Sequence, residues 1–166
     1  MRKISLVGIL VVLCAVITPA ELNLALESGV DLDIVEGGSA FSVGGGALLD
    51  VTDDIRLRAR VFTLTFSPDA GVYFGTGQSL NIVYRFPMET FDPYAVGGLQ
   101  LSSIKDYTNL GMTLGGGIEF KMGDKPFRPF GELLVILSSS DLTGERESTT
   151  TISLRGGIRY ILSKKR

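Results

Sequence analysis

The sequence predicts an all-β protein, a closed eight-stranded antiparallel up-and-down barrel preceded by a signal peptide. Three observations carry that expectation. Apolar and polar residues alternate with period two from about residue 21 nearly to the end, and no window of helix length shows a helical period. Turn chemistry recurs at hairpin spacing, so each strand can pair with its sequence neighbour. At 166 residues the chain has room for one domain, and its mean hydropathy of +0.29 is high for a chain in which a fifth of the residues are charged. Much apolar surface must therefore be hidden from water or face lipid.

The first segment reads as an export signal. Met1-Arg2-Lys3 is basic, Ile4 to Ile17 is almost unbroken apolar sequence, and Thr18-Pro19-Ala20 places small residues before a cut after Ala20. A run of about 14 apolar residues is short for a spanning helix. Cys14 is the only cysteine and follows Leu13, where a lipoprotein signal would carry a small residue. The expected division is a signal peptide over 1–20 and a barrel domain over 21–166. Loss of Arg2 and Lys3 leaves 14 basic against 18 acidic residues, a mature net charge of −4 and no basic footprint for nucleic acid.

The strands follow in order. Leu22 to Ile34 sets Leu22, Leu24, Leu26, Val30, Leu32 and Ile34 against Asn23, Glu27, Gly29, Asp31 and Asp33. Phe41 to Val51 sets Phe41, Val43, Gly45, Ala47, Leu49 and Val51 against Ser42, Gly44, Gly46 and Asp50. After Thr52-Asp53-Asp54, the apolar Ile55, Leu57, Ala59 and Val61 alternate with Arg56, Arg58 and Arg60, which marks that face as neither lipid nor dry core. A single strand is expected over Val72 to Phe86, with Leu80, Ile82, Tyr84 and Phe86 opposite Ser79, Asn81 and Arg85. Tyr94 to Ser103 alternates less cleanly. Met112 to Met122 sets Met112, Leu114, Ile118, Phe120 and Met122 against Thr113, Gly115, Gly117, Glu119 and Lys121. Leu133 to Leu137 is uniformly apolar but too short for a helix, and Pro129 and a serine run bound it. Thr151 to Leu162 closes the set, with Ser153, Arg155 and Arg159 on its polar face. Eight strands close a barrel just wide enough for side chains to fill. Prolines 68, 87, 93, 126 and 129 all fall at turns or strand ends.

Alternation does not say which face is inside; three features favour a polar interior and an apolar exterior. Glycine is frequent on the polar face (Gly29, Gly44, Gly46, Gly75, Gly77, Gly115 and Gly117), which weakens a solvated strand but makes room for arginine in a narrow lumen. The same face carries Glu27, Asp31, Asp33, Asp50, Glu119 and Glu132 against Arg56, Arg58, Arg60, Arg85, Lys121, Arg155 and Arg159, a near balance suited to mutual neutralisation. Aromatics gather at two heights: Tyr84, Phe86, Phe91, Tyr94, Phe120, Phe127, Phe130 and Tyr160 toward the end with the termini, and Phe41, Phe66, Tyr73, Phe74 and Tyr107 toward the other. Two such girdles flank the aliphatic band of a membrane barrel.

Chemistry is nearly absent from the chain. With no histidine there is no Ser-His-Asp or Cys-His pair, no histidine base and no His-ligated zinc. Gly75-Thr76-Gly77 lacks the lysine and helix of a phosphate loop. Asp31, Asp33 and Asp50 could hold a hard cation, but arginines across the lumen are their expected partners. No enzyme activity, cofactor or metal is expected.

The stretches Phe91-Asp92-Pro93-Tyr94-Ala95-Val96-Gly97-Gly98, Leu114-Gly115-Gly116-Gly117-Ile118-Glu119-Phe120 and Gly156-Gly157-Ile158-Arg159-Tyr160, with the signal peptide and eight strands, resemble the small bacterial outer-membrane β-barrels, OmpX-like and OmpA-barrel-like. The resemblance spans the whole mature chain as a pattern. It implies an eight-stranded barrel in the outer membrane with short periplasmic turns, outer-membrane lipid and the outer-membrane assembly machinery as partners, and a monomer. The chain departs from the family by running past Tyr160 to Ile161-Leu162-Ser163-Lys164-Lys165-Arg166, where such proteins usually close on an aromatic residue. The expected function is a structural, envelope role with the lumen plugged by the charged residues. A soluble periplasmic barrel around a hydrophobic ligand and a narrow channel are the alternatives.

Overall fold

The computed structural model describes residues 23–67, 71–74, 78–104, 107–141 and 146–162. The segment read as a signal peptide lies outside them, as do Gly75 and Gly77. The strands are β1 (Asn23–Val35), β2 (Gly38–Asp50), β3 (Ile55–Ser67), β4 (Gly71–Phe74), β5 (Gln78–Arg85), β6 (Phe91–Ile104), β7 (Tyr107–Phe120), β8 (Phe127–Asp141) and β9 (Arg146–Ile161). All pairings are antiparallel. The order β2-β1-β9-β8-β7-β6-β5-β3-β4 is closed by pairing of β2 with β3. Both β4 and β5 pair with β3, so together they make one stave of an eight-stave barrel. The single strand expected over Val72 to Phe86 is described over Gly71–Phe74 and Gln78–Arg85, and residues 75–77 between them lie outside the described residues.

Closure rests on the first and last strands. They pair from Ala25 opposite Ile161 to Val35 opposite Thr151, and Leu162 N–H donates to the Leu24 carbonyl at 2.9 Å. The hairpins are tight. Between β1 and β2 only Glu36 and Gly37 intervene, with Gly37 at φ 87°, a conformation that an L side chain resists and glycine adopts freely in a two-residue turn. In the next turn the Thr52 hydroxyl accepts from Ile55 N–H at 2.9 Å, and Val51 N–H donates to the Ile55 carbonyl at 2.9 Å. Pro93 and Pro129 are each the third residue of a strand and point outward, so neither blocks the lumen.

The wall is apolar outside and polar inside. Outward side chains such as Leu99, Leu114, Ile82 and Leu154 are about half exposed, whereas Glu119 and Arg159 are fully buried. One irregularity reorders the faces. The register of β2 against β3 jumps between Gly45, opposite Phe62, and Gly46, opposite Arg60, leaving Val61 as an extra residue. This β-bulge lets Val61 and Phe62 both face outward, and alternation resumes with Thr63 buried.

The aromatics divide differently from the two-girdle expectation. Exterior pairs form at the end with the termini: Tyr84–Phe86 with ring centroids 5.0 Å apart, Phe91–Phe120 at 6.5 Å and Phe127–Tyr160 at 5.0 Å. Phe41 and Phe66 pair at 6.1 Å at the opposite end. Tyr94 and Phe130, expected in the first girdle, are buried in the lumen, because strand parity points them inward. The side chains of Tyr73, Phe74 and Tyr107 lie outside the described residues.

Candidate functional site

The lumen is the site, and strand parity builds it. Alternate residues of β1, β7, β8 and β9, and of β3 up to its bulge, project inward, bringing Glu27 and Asp31, Arg56, Arg58 and Arg60, Glu119, Glu132, and Arg155 and Arg159 into one space. Cross-strand register then sets the pairs: Glu27 stands opposite Arg159, Asp31 opposite Arg155, Glu132 opposite Arg155 and Asp50 opposite Arg56.

Arg159 is the hub. Its Nε lies 2.9 Å from Glu27 Oε2, Nη1 2.7 Å from Glu119 Oε2 and Nη2 2.8 Å from Glu132 Oε1. The guanidinium sits 4.8 Å from the Tyr94 ring centroid and 4.2 Å from that of Phe130. A planar cation with five donors suits this position, where a lysine would supply neither the fork nor the stacked face. The Tyr94 hydroxyl donates to Glu132 Oε1 at 2.8 Å and accepts from Arg159 Nη2 at 3.2 Å.

The network extends toward the end with the termini and away from it. Glu119 also accepts from Arg56 at 2.8 Å and from Arg128 at 2.9 Å. Arg56 continues to Asp50 at 2.5 Å, which also faces Arg85 at 3.6 Å. At that same end Asp92 binds Lys121 at 2.7 Å and Arg128 at 3.7 Å. In the other direction Arg58 pairs with Glu132 and stands 3.9 Å from Glu27. Arg155 bridges Asp31 at 2.6 Å and Glu132 at 3.6 Å, and Asp31 also holds Arg60. These contacts join six carboxylates and eight cations into one connected set.

Asp33 stands apart. It faces the lumen two residues beyond Asp31 but makes no ion pair among the described residues, because the arginines nearest it are held by Asp31. Sequence reading missed Asp92, Arg128, Tyr94 and Phe130. Asp92 and Arg128 sit one residue before a proline near strand starts, where turn and strand cannot be told apart from the sequence. The two aromatics were assigned by height when parity was the informative signal.

Lumen glycines fit around these groups at particular positions. A Cβ on Gly117 would fall 2.7 Å from the Tyr94 hydroxyl and 2.8 Å from Glu132 Cγ, and one on Gly44 would fall 2.6 Å from Arg60 Nε. Gly29, Gly46 and Gly115 instead approach backbone of neighbouring strands. The apolar part of the interior includes a small cluster of Val83, Val96 and Leu134 against Tyr94, with Ala25 and Leu48 buried apart from it. Leu134 and Ile136 explain the uniformly apolar run in β8: these two face the lumen while Leu133, Val135 and Leu137 face out. Among the described residues no group of acidic, cysteine or histidine side chains could hold a metal. Asp31 and Asp50 are each engaged by two arginines.

An eight-stave meander with an apolar exterior and an ion-paired lumen is the architecture of the small outer-membrane β-barrels. Solved structures of that class are similar to this chain. Neisserial surface protein A (NspA) superposes with a TM-score of 0.58 at 14% identity, over 84% of this chain and 96% of that one. The N-terminal β-barrel domain of Pseudomonas aeruginosa OprF gives 0.49 at 16% identity, over 82% and 97%. Ail of Yersinia pestis, solved with the heparin analogue sucrose octasulfate, gives 0.36 at 11% identity, over 84% and 97%. At 14% identity the likeness to NspA is one of fold. No protein-family model and no curated protein sequence matches the chain.

Proposed function

We propose that this protein is an integral barrel of the bacterial outer membrane with a structural role in the envelope, its lumen plugged by the Arg159-centred network, and that it carries out no catalysis. The observation that carries the reading is the direction of the two faces. Leucine, isoleucine, valine and phenylalanine side chains stand exposed around the wall, an arrangement unfavourable in water and favourable in lipid, while the charged groups are buried. A soluble barrel around a hydrophobic ligand needs the reverse, whereas the buried aliphatic side chains among the described residues are few, Ala25, Leu48, Val83, Val96 and Leu134, against sixteen buried polar or charged ones. Ion pairing on this scale supports a plug. A buried charge is tolerated only when its partners replace water, and each of the six networked carboxylates has at least one cation within 2.9 Å.

The partners in this reading are outer-membrane lipid and the machinery that inserts barrels, and the protein acts as a monomer. Gel mobility of protein from alkali-washed outer membranes, with and without boiling, tests it. Retention in the membrane fraction with a heat-dependent mobility shift is expected; release into the soluble fraction without a shift would reject it. The plug has its own test in planar bilayers. No steady conductance is expected, and a stable open level would favour the narrow channel instead.

A further inference from the structure

Beyond the network the lumen changes character. On the side away from the termini a cavity of about 210 Å³ is lined by Asp33 of β1, Gln100 of β6, Ile136 and Ser138 of β8 and Thr151 of β9, with Val35 completing an apolar side. Asp33 is the one lumen carboxylate without an ion pair among the described residues; the Ser153 side chain opposite it bonds it from β9, and Arg60 and Arg155 on its network side are held by Asp31, so its remaining acceptor positions are open to the cavity. The Ser138 hydroxyl donates to the Thr149 carbonyl at 3.4 Å, which leaves its lone pairs free to accept. A second observation lies one ladder step below. Gly98 of β6, two residues before Gln100, stands between Asn81 and Thr113, and both of those side chains are buried with Asn81 Oδ1 and Thr113 Oγ1 lacking a protein partner.

The geometry points to a binding site for a small organic ammonium: a primary amine on a short carbon skeleton carrying a hydroxyl. Asp33 would take the ammonium, Ser138 and Thr151 would accept further N–H bonds, Gln100 would bond the hydroxyl, and Ile136 and Val35 would cover the carbons. Asp33 supplies the charge of this lining, and the Ser138 and Thr151 hydroxyls and the Gln100 amide oxygen can accept beside it, which suits a donor-rich cation. The volume lies below the roughly 300 Å³ at which drug-sized sites begin, so the ligand is small. This inference goes beyond the membrane reading and depends only on the barrel forming.

The test is NMR of the isotope-labelled protein refolded in detergent micelles and titrated with ethanolamine, with ethylene glycol and sodium chloride as controls. Saturable shifts are expected at the amides of Asp33, Gln100, Ser138 and Thr151, absent with either control. Asp33→Asn is expected to weaken the response by about tenfold or more, the loss of one charge-assisted hydrogen bond. Thr151→Leu, which fills the cavity from another strand, should abolish it even if the Asp33 variant fails to refold. Non-saturating shifts, an equal response to ethylene glycol or sodium chloride, or an unchanged response in a folded Asp33→Asn protein would overturn the proposal. A heat-dependent mobility shift on the same samples reports the barrel separately, so failure to bind and failure of the fold are distinguishable.

Discussion

Arg159 and Glu119, on β9 and β7, meet at 2.7 Å across the lumen with neither side chain exposed to solvent. Forty residues separate them in sequence, and neither is a ladder neighbour of the other. Their contact is made by the closure of the barrel, and three further features of the lumen depend on it: the sandwich of Arg159 between Tyr94 and Phe130, the convergence of Glu27 and Glu132 on the same guanidinium, and the link through Arg56 to Asp50.

Replacing Arg159 by methionine leaves Glu27, Glu119 and Glu132 buried without their shared partner. The expected loss is about 3–5 kcal/mol of folding stability, the usual cost of breaking a buried pair from one side. Urea unfolding of the protein folded into lipid vesicles measures it. The double variant Arg159→Met with Glu119→Gln should recover part of that loss, since it removes one of the stranded charges.

Tyr94 contributes a hydroxyl and a ring, and the two can be separated. Tyr94→Phe removes the hydrogen bonds to Glu132 and Arg159 while keeping the ring beneath the guanidinium. It should cost about 1.5–3 kcal/mol, as expected for bonds to charged groups. Tyr94→Ala should cost more, because the cation–π contact and the packing against Val83 and Val96 go with it. The same unfolding measurement orders the three proteins.

Gly117 is expected to resist a side chain. Its Cβ would enter the space of the Tyr94 hydroxyl and of Glu132. Gly117→Val should destabilise by about 1–3 kcal/mol, in the range of overpacked interiors. The temperature at which the compact form converts to the slow-migrating form on a gel should fall. Gly123, in the turn after β7, has nothing within 4 Å of its Cβ position, but its φ of 61° strains any L residue. Asparagine, which tolerates that conformation, should therefore be accepted there better than valine.

Height in the membrane can be read from arginine substitutions on the outer face. Leu154, half-way along β9 and opposite Leu133, is expected to lose about 2–4 kcal/mol on conversion to arginine, whereas Leu24, near the rim, should lose only about 0–1. Vesicle-folding equilibria give both values. Equal, small losses at the two positions would mean that the outer face does not meet lipid.

The period-two pattern was enough to determine which residues share a face, because side-chain direction in a strand follows from backbone geometry alone. Arg56, Arg58 and Arg60 on one face, and Ile55, Leu57 and Ala59 on the other, were legible for that reason, as were the all-β class and the strand count. The bulge at Val61 was not, since an extra residue in one strand has meaning only against its partner. Nor was the inward turn of Tyr94 and Phe130, where aromatic character suggested a girdle and parity decided otherwise. The glycine-rich, charge-balanced polar face already favoured a polar interior; the tertiary structure alone decided which acid meets which base, and that Asp33 makes no ion pair among the described residues. Those outcomes depend on register and closure between strands up to 132 residues apart, as in the Glu27–Arg159 pair. Local sequence carries the direction of each side chain; only the closed barrel sets the distance between them.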